Sequence, residues 1–264
     1  MVNKRRVDSD FSNTAYIKHV ELKREAVPRF DVYPFNLDAV RTFDKLSFTK
    51  PVTFLVGENG SGKSTLLEGI AVAYGFNPEG GSTNIKFATR SSHSDLHHYL
   101  RIARGVKKAK DGYFFRAESY YNVASQIDLL DEDKVEEVAM PLINMSYGGK
   151  SLHEQSHGEA FFSTFVHRFG GHGIYMLDEP EAALSPIRQM SLLARIHELV
   201  QQQSQFIIAT HSPILMSYPG ADIYMLDQTG MRQTVLEDID HYVVTRGFMN
   251  DREGMLRQLL REGE

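Results

Sequence analysis

Gly57-Glu58-Asn59-Gly60-Ser61-Gly62-Lys63-Ser64 constrains this chain more than any other stretch of it. The run matches G-x-x-x-x-G-K-[ST] in full, and its context fits. The short apolar, β-prone run Val52–Val56 (VTFLV) precedes it. Residues 64–74 follow as an expected helix with Leu66, Leu67, Ile70 and Val72 on its apolar face. A strand that turns through glycines into a helix lets backbone N–H groups converge on an anion without side-chain obstruction, and the helix N-terminus adds the positive end of its dipole. Within such a loop Lys63 is placed to act as a point charge on terminal phosphates. Ser64 is placed to offer a hydroxyl to magnesium, with Thr65 beside it.

The rest of the chain supplies more short apolar runs separated by helical stretches. Residues 16–22 alternate like an edge strand, and 46–48 read as a short strand before Pro51. Residues 113–117 (YFFRA), 174–177 (IYML), 206–209 (FIIA) and 223–226 (IYML) read as strands. Helices are expected over 94–103, 125–140, 157–169, 186–202 and 255–260. Strands alternating with helices argue for an α/β fold with a largely parallel sheet covered on both faces. Residues 75–150 interrupt the alternation and are expected to form a largely helical insert. The expectation is one domain over 1–264 with residues 1–14 frayed.

Composition narrows the chemistry. With 264 residues, 42% of them hydrophobic and 24% charged, the chain can bury a sizeable core. The absence of cysteine excludes disulfides, thiolate zinc sites and cysteine nucleophiles. A net charge of −5 argues against a generally basic nucleic-acid binder. The start of the chain lacks the apolar run of a signal peptide, and no stretch approaches a membrane span, so a soluble, cytoplasmic protein is expected.

Two further constellations carry chemistry. Asp178 closes an apolar strand, which places its carboxylate at the carboxyl edge of the sheet, where ligands of α/β folds bind. Glu179 follows at once and can polarise an attacking water. Thr210-His211-Ser212 closes the next apolar strand, and His211 can hydrogen-bond a terminal phosphate and that water. A lone histidine at a strand end is more often structural. Its place one helix and one strand after the acidic pair singles it out.

Taken in order, these motifs resemble the ATPases of the ABC superfamily. Residues 57–64 resemble the Walker A loop, 174–179 the Walker B strand with its catalytic glutamate, Ala183-Leu184-Ser185-Pro186 the D-loop, and Thr210-His211 the switch-histidine motif. Ser156-His157-Gly158-Glu159, ahead of a Phe-rich helix, resembles the signature motif, with His157 where a glycine is usual. The resemblance covers residues 52–212. It implies a P-loop NTPase fold of ABC type with N-terminal antiparallel strands. It also implies ATP and Mg2+ as ligands and a head-to-tail homodimer closing on ATP. Each nucleotide would then lie between one subunit's Walker A loop and the other's Ser156, Gly158 and Glu159. Glu179, His211 and Lys63 take the catalytic roles by the same resemblance. Ser64, Asp178 and a Q-loop residue face the metal. Glu118, just after the YFFRA strand, is favoured for that last place by position, with Gln126 the alternative. Tyr33, Arg41 and Phe43 are candidates for the adenine contact. His153 and His157 are four apart but lack a convincing third ligand, so no metal site is expected there.

Two readings of the work done remain. One is a stand-alone soluble ATPase similar to the RecF, structural-maintenance-of-chromosomes and overcoming-lysogenisation-defect groups, with DNA or a separate protein chain as partner. The other is the nucleotide-binding subunit of an ABC membrane transporter. The phrase VTFLVGENGSGKSTLLEGIA and the Gly-Glu signature look more like the first, and the stretch after the signature lacks the Arg/Ala-rich helix common in transporter subunits.

Overall fold

The computed structural model describes residues 11, 13–83, 94–132, 147, 153 and 156–260. Two sheets organise them. A six-stranded sheet is built from β3 (Val52–Val56), β5 (Asp111–Arg116), β6 (Gly173–Asp178), β7 (Gln205–Ala209), β8 (Asp222–Asp227) and β9 (Gly230–Thr234), in the order β5-β6-β7-β3-β8-β9. Its first five members run parallel, and β9 returns antiparallel on β8. A three-stranded antiparallel sheet carries β1 (Ile17–Leu22) between β2 (Lys45–Ser47) and β4 (Leu100–Arg104).

The central strands read as continuous apolar runs because both faces are covered. Every residue of β3, β6 and β7 is buried. Successive side chains nonetheless go to opposite faces. Phe54, Phe115, Tyr175 and Phe206 enter one core, which is closed by α3 (Tyr120–Glu132), α4 (His157–Ser163) and α5 (Pro186–Gln201). Leu55, Phe114, Met176 and Ile207 enter the other, which lies against α2 (Lys63–Tyr74) and the antiparallel sheet.

Two buried polar side chains pin the sheets together. Gln205 Oε1 accepts from the backbone N–H groups of Tyr16 (2.9 Å) and Ile17 (3.0 Å), while its Nε2 donates to Ile17 O (2.9 Å). Asp222 accepts from the N–H groups of Thr49 (2.9 Å) and Lys50 (3.1 Å) and from the Thr49 hydroxyl.

Several expected elements differ. Residues 94–103 are not one helix: a 3-10 turn over Asp95–Tyr99 passes into β4, which pairs with β1. The segment after Gly75 therefore contributes a strand to each sheet beside its helical stretches Asp95–Tyr99 and Tyr120–Glu132. The helix read over 125–140 starts earlier, at Tyr120, and its last eight residues, 133–140, lie outside the described residues. The helix read over 157–169 is α4 followed by a π turn over Thr164–Arg168. At that junction Ala160 O accepts from the hydroxyls of Tyr120 (2.8 Å) and Thr164 (3.2 Å) as well as from the Thr164 N–H. The hairpin strand β9 and the helix α7 (Asp240–Asn250) were not expected. The last helix, α8 (Arg252–Leu259), starts three residues before the expected Met255. Between them and the core lies the short α6 (Pro213–Met216). Residues 1–10 and 12, expected to fray, lie outside the described residues.

Candidate nucleotide site

Register assembles the site. Asp178 is level with Arg116 on one side and Ala209 on the other, and Leu55 is level with Ala209. The carboxyl ends of β3, β5, β6 and β7 thus place the loop 57–64, Asp178-Glu179 and Thr210-His211 on one edge.

The loop's glycines are required by its path. Gly57, Gly60 and Gly62 have φ of 146°, 79° and 97°, a region that side chains disfavour. A Cβ on Gly57 would also fall 2.1 Å from Leu226 O. Lys63 opens α2 and curls back over the loop, donating from Nζ to Gly57 O (3.0 Å) and Glu58 O (2.9 Å). Burial lowers its pKa, and the carboxylates of Glu179, Asp178, Glu181 and Glu58 oppose that effect.

Ser64 Oγ donates to Asp178 Oδ1 at 2.8 Å. Burial raises the Asp178 pKa to about 6 against the pull of Arg116 and Ser64, with Glu179 and Glu68 adding to the rise. Arg116 Nε lies 3.6 Å from Asp178 Oδ2, while its Nη1 donates to Glu68 Oε2 (2.9 Å) and Pro78 O (2.9 Å). Glu118, in the loop leaving β5, is exposed and reaches the site only at second hand, 3.8 Å from Arg116. Gln126 lies inside α3, half-buried.

Glu179 has φ of 49°, a left-handed conformation for a residue that also precedes a proline. Such a conformation costs about 1–3 kcal/mol and persists where surroundings enforce it. Here the Glu179 N–H donates to Ala209 O (3.0 Å), tying β6 to β7 beyond the last paired residues. The Glu179 carboxylate lies 3.7 Å from His211 Nε2. Glu181 Oε1 gathers the turn after β7, accepting from the Thr210 hydroxyl (2.7 Å), His211 N–H (2.7 Å) and Ser212 N–H (3.2 Å). His211 is held below its usual pKa, first by burial and then by Lys63, with Glu179 opposing. His211 Nδ1 meets His241 Nε2, from α7, at 3.3 Å. Ser61 Oγ, Arg116 Nε and His211 Nε2 are buried around this edge with no hydrogen-bond partner among the described residues.

Ser156 caps α4 in the extended conformation. Glu159 Oε2 accepts from its N–H (3.1 Å) and hydroxyl (2.7 Å), a capping box. Gly158 faces the D-loop: a Cβ there would lie 2.6 Å from Ala183 O and 2.8 Å from an Arg188 nitrogen. Arg188 also pairs with Glu159 at 3.9 Å. The side chain of His157 lies outside what is described, and His153 contacts Ser125 and Asp128.

Of the three adenine candidates, Phe43 is core, 3% exposed, and cannot stack on a ligand. Arg41 is held by Asp38. Tyr33 is 62% exposed, and its hydroxyl lies 3.2 Å from Thr65 Oγ1, beside the loop. A cleft of about 530 Å³ opens at the loop's outer tip between Asn36, Asp38, Glu58, Ser61, Asp227 and Thr229.

Sequence reading missed Arg116, Glu68, Glu181 and His241. Arg116 and Glu181 carried a signal. Arg116 ends a strand beside Asp178's, and Glu181 stands two residues past Glu179. Glu68, inside a helix, and His241, distant in sequence, carried none.

Known proteins resemble this chain in sequence and in fold. A family model described as an AAA domain matches residues 36–144. A protein of Methanothermobacter marburgensis, provisionally named an ABC transporter ATP-binding protein, is 28% identical, with 82% of each chain aligned. MJ1267, an ATP-binding cassette of an ABC transporter, overlays with a TM-score of 0.50 at 16% identity, over 88% of this chain and 98% of that one. The SMC head domain from Thermotoga maritima overlays more loosely, with a TM-score of 0.40 at 17% identity over 83% and 98% of the two chains. The fold is that of the P-loop ATPases of ABC type.

Proposed function

We propose that this chain, an ATPase of the ABC superfamily by fold and motif order, binds ATP with Mg2+ between two copies of itself and hydrolyses it as a dimerisation switch. The observation that carries this reading is the meeting of Lys63, the Ser64–Asp178 pair and the Glu179–His211 pair on one sheet edge.

The donors fit a magnesium ion. Ser64 Oγ and Asp178 are hard oxygen ligands, and a carboxyl that burial holds near pKa 6 is relieved by a cation. Glu118 joins this set only by its place after β5. Held by these oxygens, a magnesium ion would supply positive charge against the phosphates. The chain does the rest. The loop N–H groups from Glu58 to Thr65 cradle the phosphates, and Lys63 turns from its own loop carbonyls to the γ-phosphate. Glu179 accepts a proton from the attacking water as its oxygen bonds to phosphorus, and the bond to the ADP oxygen breaks with its electron pair leaving on ADP. His211 Nε2 donates to a γ-phosphate oxygen. Tyr33 supplies the ring beside the base. Ser156 and Glu159, exposed at the start of α4, and Gly158 between them contact the nucleotide of the second copy at that helix N-terminus.

The experiment is ATP turnover measured with solution mass for wild type and Glu179→Gln. The Gln variant is expected to lose about 100-fold or more in kcat and to accumulate as a dimer with ATP. A monomer in every state with turnover intact would remove both the dimer and the base.

The client admits two readings. The transporter names of the relatives support a nucleotide-binding subunit that docks on a membrane protein. The wording of the Walker A segment supports a stand-alone ATPase. Among the described residues no helix is long and apolar enough to cross a membrane. Isolation of the native complex in detergent separates the readings: an integral membrane protein co-isolates in stoichiometric amount only under the first.

A further inference from the structure

His241 belongs to none of the sequence motifs. It is the second residue of α7, a helix with no buried residue, and it reaches back to the nucleotide edge. Its Nε2 lies 3.3 Å from His211 Nδ1, with the rings edge to face at 62°. Two imidazole nitrogens form a hydrogen bond only when one carries the proton and the other does not. The contact therefore depends on which nitrogen of His211 is protonated.

The neighbouring carboxylates choose. Glu58 Oε1 lies 3.9 Å from His241 Nε2, and Glu179 Oε1 lies 3.7 Å from His211 Nε2. Each anion favours a proton on the nitrogen it faces. Both select the same arrangement: His241 Nε2–H donates to His211 Nδ1, and His211 carries its own proton on Nε2. That Nε2 is buried and has no hydrogen-bond partner among the described residues, Glu179 standing 3.7 Å off. It is a donor left available for a phosphate oxygen.

We propose that His241 is a positioning residue that fixes His211 in its Nε2–H tautomer, so that helix α7 holds the switch histidine ready to donate to the γ-phosphate. The proposal rests on the reading of His211 as the γ-phosphate contact. The opposite tautomer would present a lone pair to phosphate oxygens and lose the bond. The partner on the far nitrogen sets this choice.

The test compares His241→Phe, which keeps a ring without a donor, with His241→Gln, which keeps an N–H donor. Nitrogen-15 NMR of the His211 imidazole, assigned against His211→Gln, reads the tautomer in nucleotide-free protein, and steady-state turnover reads kcat and KM for ATP. His211 is expected as the Nε2–H tautomer in wild type and the Gln variant and as a mixture in the Phe variant. The Phe variant should lose about 10-fold or more in kcat with KM for ATP little changed, and the Gln variant should recover most of that loss. An unchanged His211 tautomer in the Phe variant overturns the proposal, as does equal impairment of Phe and Gln variants. If wild type hydrolyses no ATP, the ATPase reading fails, while the tautomer comparison still decides whether His241 sets His211.

Discussion

Ionised Asp178 is expected to weaken the nucleotide-free fold. Its pKa is raised by burial from 3.8 to about 6. A carboxyl that binds its proton more tightly folded than unfolded favours the fold at low pH, and that contribution is lost as pH rises through this window. Above pH 6 the ionised group sits buried with only Arg116, 3.6 Å away, and Ser64 to offset the burial. Asp178→Asn is therefore expected to raise stability of the nucleotide-free protein at pH 7.5 by about 2 kcal/mol and to flatten its dependence between pH 4 and 6, while removing Mg-dependent ATP turnover. Denaturation at several pH values checks this, and a stability loss at pH 7.5 would show that Arg116 and Ser64 outweigh burial. The acid itself was legible because a strand-ending Asp-Glu stands out in sequence. Its keepers were not. Arg116 ends YFFRA without a motif, and Glu68, which orients it at 2.9 Å, looks like any polar helix residue.

Glycine 158 shows what the signature does within its own chain. The resemblance assigns it to a nucleotide held by a second copy, but the structure adds a nearer constraint. The first turn of α4 lies so close to the D-loop that a Cβ would stand 2.6 Å from Ala183 O. That close approach sets the first turn of α4 directly against the loop leading from Glu179 to α5. Gly158→Ala should push α4 off the D-loop, cost about 1–3 kcal/mol by overpacking, and lower ATP-dependent dimer formation more than ATP binding to the monomer. Sedimentation with and without ATP, beside nucleotide titration, distinguishes these. Element identity was easiest to read where both faces are buried, as in VTFLV and FIIA, because nothing competes with a continuous apolar run. It failed over 94–103, where Leu96, Leu100 and Ala103 fall at helical spacing. There, pairing of Val20 with Ile102 decides for a strand, and that pairing is a tertiary fact.

At the scale of the molecule, the joint between the two sheets decides whether the base-side segment stays in place. β1 leads into residues 24–44, which carry Tyr33 to Thr65, and β1 itself is fastened to the start of β7 by Gln205. The reading of FIIA as a strand began at Phe206 and so left this glutamine outside. A buried polar residue one position before an apolar run looks like a strand boundary until its partners, 189 and 188 residues away at Tyr16 and Ile17, are known. The side chain works as a piece of strand, two acceptances and one donation in a place 1% exposed. Gln205→Leu keeps the volume and strands two N–H groups and a carbonyl, so stability should fall by about 3–5 kcal/mol. Hydrogen exchange at Tyr16 and Ile17 should accelerate before that of Phe54 or Ile207, whose bonds lie within the six-stranded sheet. Since Lys63, Ser64 and Asp178 hang from that larger sheet, phosphate contacts should survive this loosening while discrimination for the base weakens. ATP and inorganic triphosphate titrated against the variant give the readout: affinity for ATP drops toward that for triphosphate if β1 anchors the base-side segment, whereas parallel loss of both would mean that the two sheets fold and fail as one unit.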